Sequence, residues 1–255
     1  MHNRRSLLFL VLLSGLIISL GMGLRQSLGL FMPPMTVDLG ISAATFGFAI
    51  AMQNLVWGLS QPFIGALADR YGARPVLIGT ALIYAAGLAM MALASRFPGG
   101  LQAAGFLAGV GTAGTGFGVL IGTVSRATAP ERQSQTVGLV AAAGSIGTFA
   151  LAPIGQALID AFGWQAAMLA FAAIAGSIAL LSLPIRELPS TRAASRQMKL
   201  SEALREAMGH RGYLFMTLAF FACGFQLVFL TTHLPKYLQL CGVAPGVGAT
   251  ALGLI

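Results

Sequence analysis

Arg25 is the residue of this chain whose position most demands chemistry. It follows the uncharged run Ser6–Leu24, and the apolar character resumes behind it to about Met32. A charge inside a membrane span costs about 2.5–3.5 kcal/mol on insertion scales, so it normally faces a cavity or a partner. No Asp or Glu interrupts the apolar runs; Asp38 and Asp160 fall at their ends. An unpaired guanidinium in such a place can hold a carboxylate through two parallel hydrogen bonds. Snorkelling to the surface, or pairing with an acid outside this sequence, is the alternative. Gln26 adjoins it, and Asn54, Gly58, Gln61 and Gly65 recur at helical spacing on one stripe. Small and amide residues on a stripe serve close helix packing or line a solute path. An offset that lays Gly23-Leu24-Arg25 over Gly224-Phe225-Gln226 also lays Pro34 over Pro235 and Leu39 over Leu240. That register makes Gln226 the counterpart of Arg25, and the expected substrate-binding set is Arg25, Gln26, Asn54 and Gln226. Further along, Thr231, Thr232 and His233 precede Pro235. His233 is either a proton-linked imidazole or a cap or interface residue beside a helix-ending proline.

A second constellation is a charged turn, Gly65-Ala66-Leu67-Ala68-Asp69-Arg70-Tyr71-Gly72-Ala73-Arg74. Gly65 would let two backbones approach, and Asp69 could accept from helix N-terminal amides. Gly72 would supply a positive φ, and Pro75 suits the first turn of the next helix.

The elements that position these residues are long and apolar. The chain is 56% hydrophobic and 9% charged, with a mean hydropathy of +0.83, which excludes a soluble domain. Charge-free runs cover Ser6–Leu24, Leu39–Ala68, Pro75–Ser95, Phe97–Ser125, Gln133–Ile159, Ala161–Ile185 and Gly212–Pro235. Each can cross a hydrocarbon core of about 30 Å at about 1.5 Å per residue, giving seven helices, and Pro245–Ile255 reads as the opening of an eighth. Placing the N-terminus on the cytoplasmic side puts Arg4, Arg5, Arg70, Arg74, Arg126, Arg132, Arg186, Arg192, Arg196, Lys199, Arg205 and Arg211 inside. Only Arg96 and Lys236 then lie outside. This is the positive-inside pattern, so the net charge of +8 reports topology and an anionic leaflet rather than nucleic acid. Between Arg186 and Arg211 lies the one long polar segment. Leu200, Ala203, Leu204, Ala207 and Met208 recur there at helical spacing, as in a short amphipathic helix or, alternatively, an unstructured tether.

The turn Gly-x-Leu-Ala-Asp-Arg-x-Gly-x-Arg between two spans resembles the signature loop joining the second and third helices of major facilitator superfamily transporters. Ala73 departs from it, where a second basic residue is common. The resemblance implies that Gly65, Asp69, Arg70, Gly72 and Arg74 form a gating latch; a topology-setting turn is the alternative. The segment Arg132–Gly144 is similar to the monocarboxylate and oxalate–formate transporter branch, where a basic loop leads into Gly-Leu-Ala-x-Ala-Gly. The acidic motif that this branch carries before its first helix is missing here. The fourth run is rich in glycine (Gly105, Gly109, Gly111, Gly114, Gly116, Gly118, Gly122) and allows close contact on more than one face. Gly105 stands where proton-coupled multidrug exporters of the superfamily carry an arginine.

These readings predict an all-α polytopic membrane protein. Residues 1–185 form a six-helix bundle, 186–211 a cytoplasmic linker, and 212–255 the start of a second bundle. Superfamily members usually have twelve helices, so the chain is expected to be incomplete, with the carboxylate-binding arginine of the eighth helix falling after Ile255. The expected function is secondary transport of small organic anions across the cell (inner or plasma) membrane by alternating access, with the N-terminus cytoplasmic and a coupling proton as a second partner. A drug or sugar carrier of the same fold and a seven-helix receptor are the alternatives. No nucleophile–base pair, metal cluster or cofactor motif is present, so no enzyme, metal or cofactor is expected.

Overall fold

The charge-free runs fold as helices. The structure, a computed structural model, describes residues 2–94, 99–185 and 200–254. Arg96, Arg186, Arg192, Arg196, Lys199 and the first part of the linker lie outside the described residues. Helix α1 (His2–Gln26) runs through a 3-10 turn (Ser27–Phe31) into α2 (Met32–Asp38), so Arg25 lies inside one helical run from Ser6 to Asp38. The 3-10 turn has a cause in the sequence. Pro33 and Pro34 lack the N–H groups that would reach back to the carbonyls of Gly29 and Leu30. Ser42 caps α3 (Ala43–Tyr71), accepting from the Thr45 amide at 3.0 Å. Gly72, at φ 90°, ends α3 and starts α4 (Ala73–Ala92).

The fourth run is broken. Helix α5 (Gly100–Thr115) stops at Gly116, which is extended, and α6 (Phe117–Ala127) resumes beyond it. Three of the five residues 114–118 are glycines, the poorest helix formers after proline. The fifth and sixth runs join as α7 (Pro130–Ser182), whose bend is Gly163 at φ 80° rather than Asp160. Helix α8 (Leu200–Gly209) forms where the apolar spacing places it; α9 (Arg211–Leu240) and α10 (Pro245–Leu254) follow.

Five of these helical runs are long and apolar enough to cross a membrane, and α7 is long enough to do so twice. Helix α3 matches them in length but is more polar, because Gln53, Asn54 and Gln61 dilute it. The outer surface is apolar: Phe63, Ile146, Phe215, Phe220 and Phe221 are exposed, as hydrocarbon contact requires.

Small residues set the packing. A Cβ on Gly23 or Gly147 would collide with the backbone of the facing helix, so α1 and α7 meet almost backbone to backbone. Helix α5 is wedged between α3 and α4 in the same way. Gly105 and Gly109 face Ala49 and Gln53 on one side; Gly111 and Gly114 face Tyr84 and Thr80 on the other. Helix α3 therefore buries Phe46, Ala49, Ile50, Gln53 and Val56. The stripe Asn54–Gly58–Gln61–Gly65 is not this packing face, since Gly58 and Gly65 have open space where a Cβ would go.

Candidate functional site

Arg25 sits one residue before the end of α1, and α3 supplies its surroundings. One guanidinium nitrogen, Nη2, donates to Asn54 Oδ1 at 2.7 Å, and Asn54 Nδ2 is itself tied to the Ile50 carbonyl at 2.8 Å. The amide is thus oriented with its oxygen toward the arginine. The guanidinium lies over the Trp57 ring, 4.3 Å from its centroid, a cation–π contact that holds the plane without neutralising the charge. Trp57, which lies off the polar stripe, is thus turned toward Arg25. Residues 50, 54 and 57 are three and four apart, so one helix face both orients and stacks the arginine. No carboxylate lies within ion-pair distance of Arg25 among the described residues. The acids that the apolar runs end on are engaged elsewhere: Asp38 accepts from Trp164 Nε1 at 2.9 Å, and Asp160 from Gln156 Nε2 at 2.8 Å.

Arg25 opens on a narrow crevice of about 270 Å³, counting the part open to solvent. Gln26, Leu28 and Gly29 line it from the first run, Ile50, Gln53 and Asn54 from α3, and Val228, Thr231 and Thr232 from α9. Three of the four expected substrate-binding residues are thus brought together. Gln226 is not: it is exposed, on the face of α9 away from the crevice. Two residues along a helix turn the side chain through about 200°, so Val228 faces the crevice and Gln226 does not. The crevice closes at the α2 end. The Thr231 backbone presses on Gly29, and Lys236 Nζ donates to Thr36 Oγ1 at 2.8 Å. Pro235 lies within α9 rather than ending it, so His233 is not a cap. Its ring packs against Phe229, 5.1 Å between centroids, and over Gly47 of α3.

At the far end of α3 the charged turn is built differently. Gly72 adopts the positive φ expected of it, whereas Gly65 makes no close backbone approach. Asp69 accepts from Arg126 of α6 at 2.9 Å rather than from helix amides, with side chains 60% and 40% exposed. Arg126 also reaches Thr123 Oγ1 at 3.5 Å. Arg70 lies 5.2 Å from the Tyr71 ring centroid, and Arg74 is exposed.

This arrangement of helices is that of a known family. The sequence model of the Major Facilitator Superfamily matches residues 7–255. The chain belongs to that superfamily. It is 34% identical to monocarboxylate transporter 11 of Homo sapiens over 155 residues, 61% of this chain and 32% of that protein. It is 26% identical to the oxalate:formate antiporter of Oxalobacter formigenes over 243 residues, 94% of this chain and 57% of that protein. A bacterial homologue of the human lysosomal transporter Spinster, in an inward-facing and unoccupied conformation, superposes with a TM-score of 0.73 at 17% identity. It covers 97% of this chain and 59% of the other. The chain thus spans between about a third and three fifths of these relatives.

As a major facilitator protein the chain is a multi-pass membrane protein and not an enzyme. Gln53 of the crevice, Trp57 stacked on Arg25, and Arg126, the partner of Asp69, escaped reading by spacing. The signal for Gln53 was present in the glycines of α5, which dictate the face of α3 that is buried. Arg126 looked like one more inside charge, because a residue 57 positions from Asp69 has no local relation to it.

Proposed function

We propose that residues 1–185, 186–211 and 212–255 form the first bundle, the cytoplasmic linker and the opening of the second bundle of a secondary transporter for small organic anions. The observation that carries this reading is Arg25: a guanidinium in a crevice between α1, α3 and α9, oriented by the neutral Asn54 and Trp57. Neutral partners hold the side chain in place and leave its charge for an anionic solute. The names of the relatives, a monocarboxylate transporter and an oxalate:formate antiporter, support the same solute class. Transport would proceed by rocking of two bundles about this site, with the exposed Asp69–Arg126 pair breaking and reforming as a latch. The Lys and Arg distribution favours a cytoplasmic N-terminus in the cell membrane. Where transport is proton-linked, His233 is the imidazole placed between α3 and α9.

The test is uptake of labelled lactate, formate and oxalate by the full-length protein in proteoliposomes. Arg25→Gln should reduce carboxylate uptake to background while insertion and yield are kept. Retained uptake in that variant overturns the assignment.

A further inference from the structure

Gln53 lines the same crevice, yet its side chain binds nothing among the described residues. It is 1% exposed, and neither Oε1 nor Nε2 has a hydrogen-bond partner. Nε of Arg25, which lines the same crevice, is likewise unpartnered. Helix α3 packs tightly against α5 here, since a Cβ on Gly109 would stand 2.6 Å from the Gln53 backbone carbonyl oxygen. A buried amide with no partner lowers the population of its state roughly tenfold to a hundredfold. The penalty is recovered when a ligand supplies what is missing. What is missing is specific: a donor for Oε1 and acceptors for the N–H groups of Nε2.

We propose that Gln53 reads a hydroxyl group on the carbon next to the solute carboxylate, so that the crevice selects 2-hydroxycarboxylates; this rests on Arg25 holding the carboxylate. A hydroxyl offers a donor and an acceptor on one atom and matches both ends of the amide. A second carboxylate offers acceptors only. It would leave Oε1 unmet and set a second negative charge against one guanidinium. An alkyl group satisfies neither atom. Sites that bury a polar group for a substrate hydroxyl discriminate strongly against analogues that lack it. Gln53 is therefore a specificity-determining residue, with Arg25 supplying attraction common to all carboxylates.

The experiment is calorimetric titration of the purified full-length protein with two pairs that differ by one hydroxyl, glycolate against acetate and lactate against propionate. The wild-type protein should bind the hydroxylated member at least about tenfold tighter in each pair. Gln53→Met, close in volume and without hydrogen-bonding groups, should bring the two members within about twofold of each other. A wild-type ratio near one overturns the inference without reference to any variant, and so does an unchanged ratio in Gln53→Met, as when ordered water satisfies the amide. Equal binding of all four anions that is lost in Arg25→Gln keeps the carboxylate reading and sinks this one alone. Binding of none by the wild-type protein sinks both.

Discussion

Arg25 and Arg126 are the same residue type on neighbouring helical runs, and the protein uses them in opposite ways. Arg126 is 40% exposed and meets a carboxylate, Asp69, which is 60% exposed. An ion pair in such surroundings contributes between nothing and about 1 kcal/mol, screened by salt, so its two halves separate readily. Arg25 is half-buried and meets an amide and an indole. Its charge is held but not cancelled. A contact that is cheap to break suits a latch between moving helices, and a fixed, uncancelled charge suits capture of an anion. The contrast lies in the partner and the exposure, not in the arginine.

Giving Arg25 the kind of partner that Arg126 has should break the comparison outright. Asn54→Asp would place a carboxylate 2.7 Å from the guanidinium nitrogen, where the amide oxygen now sits. A solute anion would then have to displace a buried ion pair, and carboxylate affinity should fall on the order of a hundredfold. Solute competition assays on the purified variant, alongside its unchanged yield, would check this; wild-type affinity in Asn54→Asp would mean that Arg25 does not meet the solute. Trp57→Leu removes the stacking and leaves the hydrogen bond. A cation–π contact of about 0.5–2 kcal/mol predicts a loss of affinity between about twofold and thirtyfold, measured in the same assay. The smallest equilibrium effect belongs to the exposed pair. Asp69→Asn should change the unfolding free energy by less than about 1 kcal/mol and leave solute affinity unaltered. Its effect should appear in the maximal uptake rate instead, and the charge-reversed pair Asp69→Arg with Arg126→Asp should restore that rate. A loss of affinity in Asp69→Asn would merge the two regions into one site.

Arg25 was legible because one charge in an apolar run has no bland background to hide in, and Asn54 because it lies on a polar stripe. Gln53 and Trp57 were not. They flank Asn54 in sequence, and whether a residue one or three positions away faces lipid, protein or crevice depends on how α3 is rotated. That rotation is imposed by Gly105 and Gly109, into which Ala49 and Gln53 press. Gln226 lies off the crevice for the related reason that a repeat offset gives a position along a helix and says little about the face presented.

The helical runs, the place of Arg25 within the first of them and the turn at Gly72 were all determined by the amino-acid sequence. Each follows from local chemistry: charge against hydrocarbon, backbone freedom against β-carbon crowding. Only the tertiary structure decided which side chains share a space. It set Trp57 beneath Arg25, drew Val228, Thr231 and Thr232 into the crevice, and paired Asp69 with Arg126. Those choices depend on helix rotation and packing between residues far apart in the chain, where backbone contact between glycine-lined helices, rather than any pattern within one helix, has the final say.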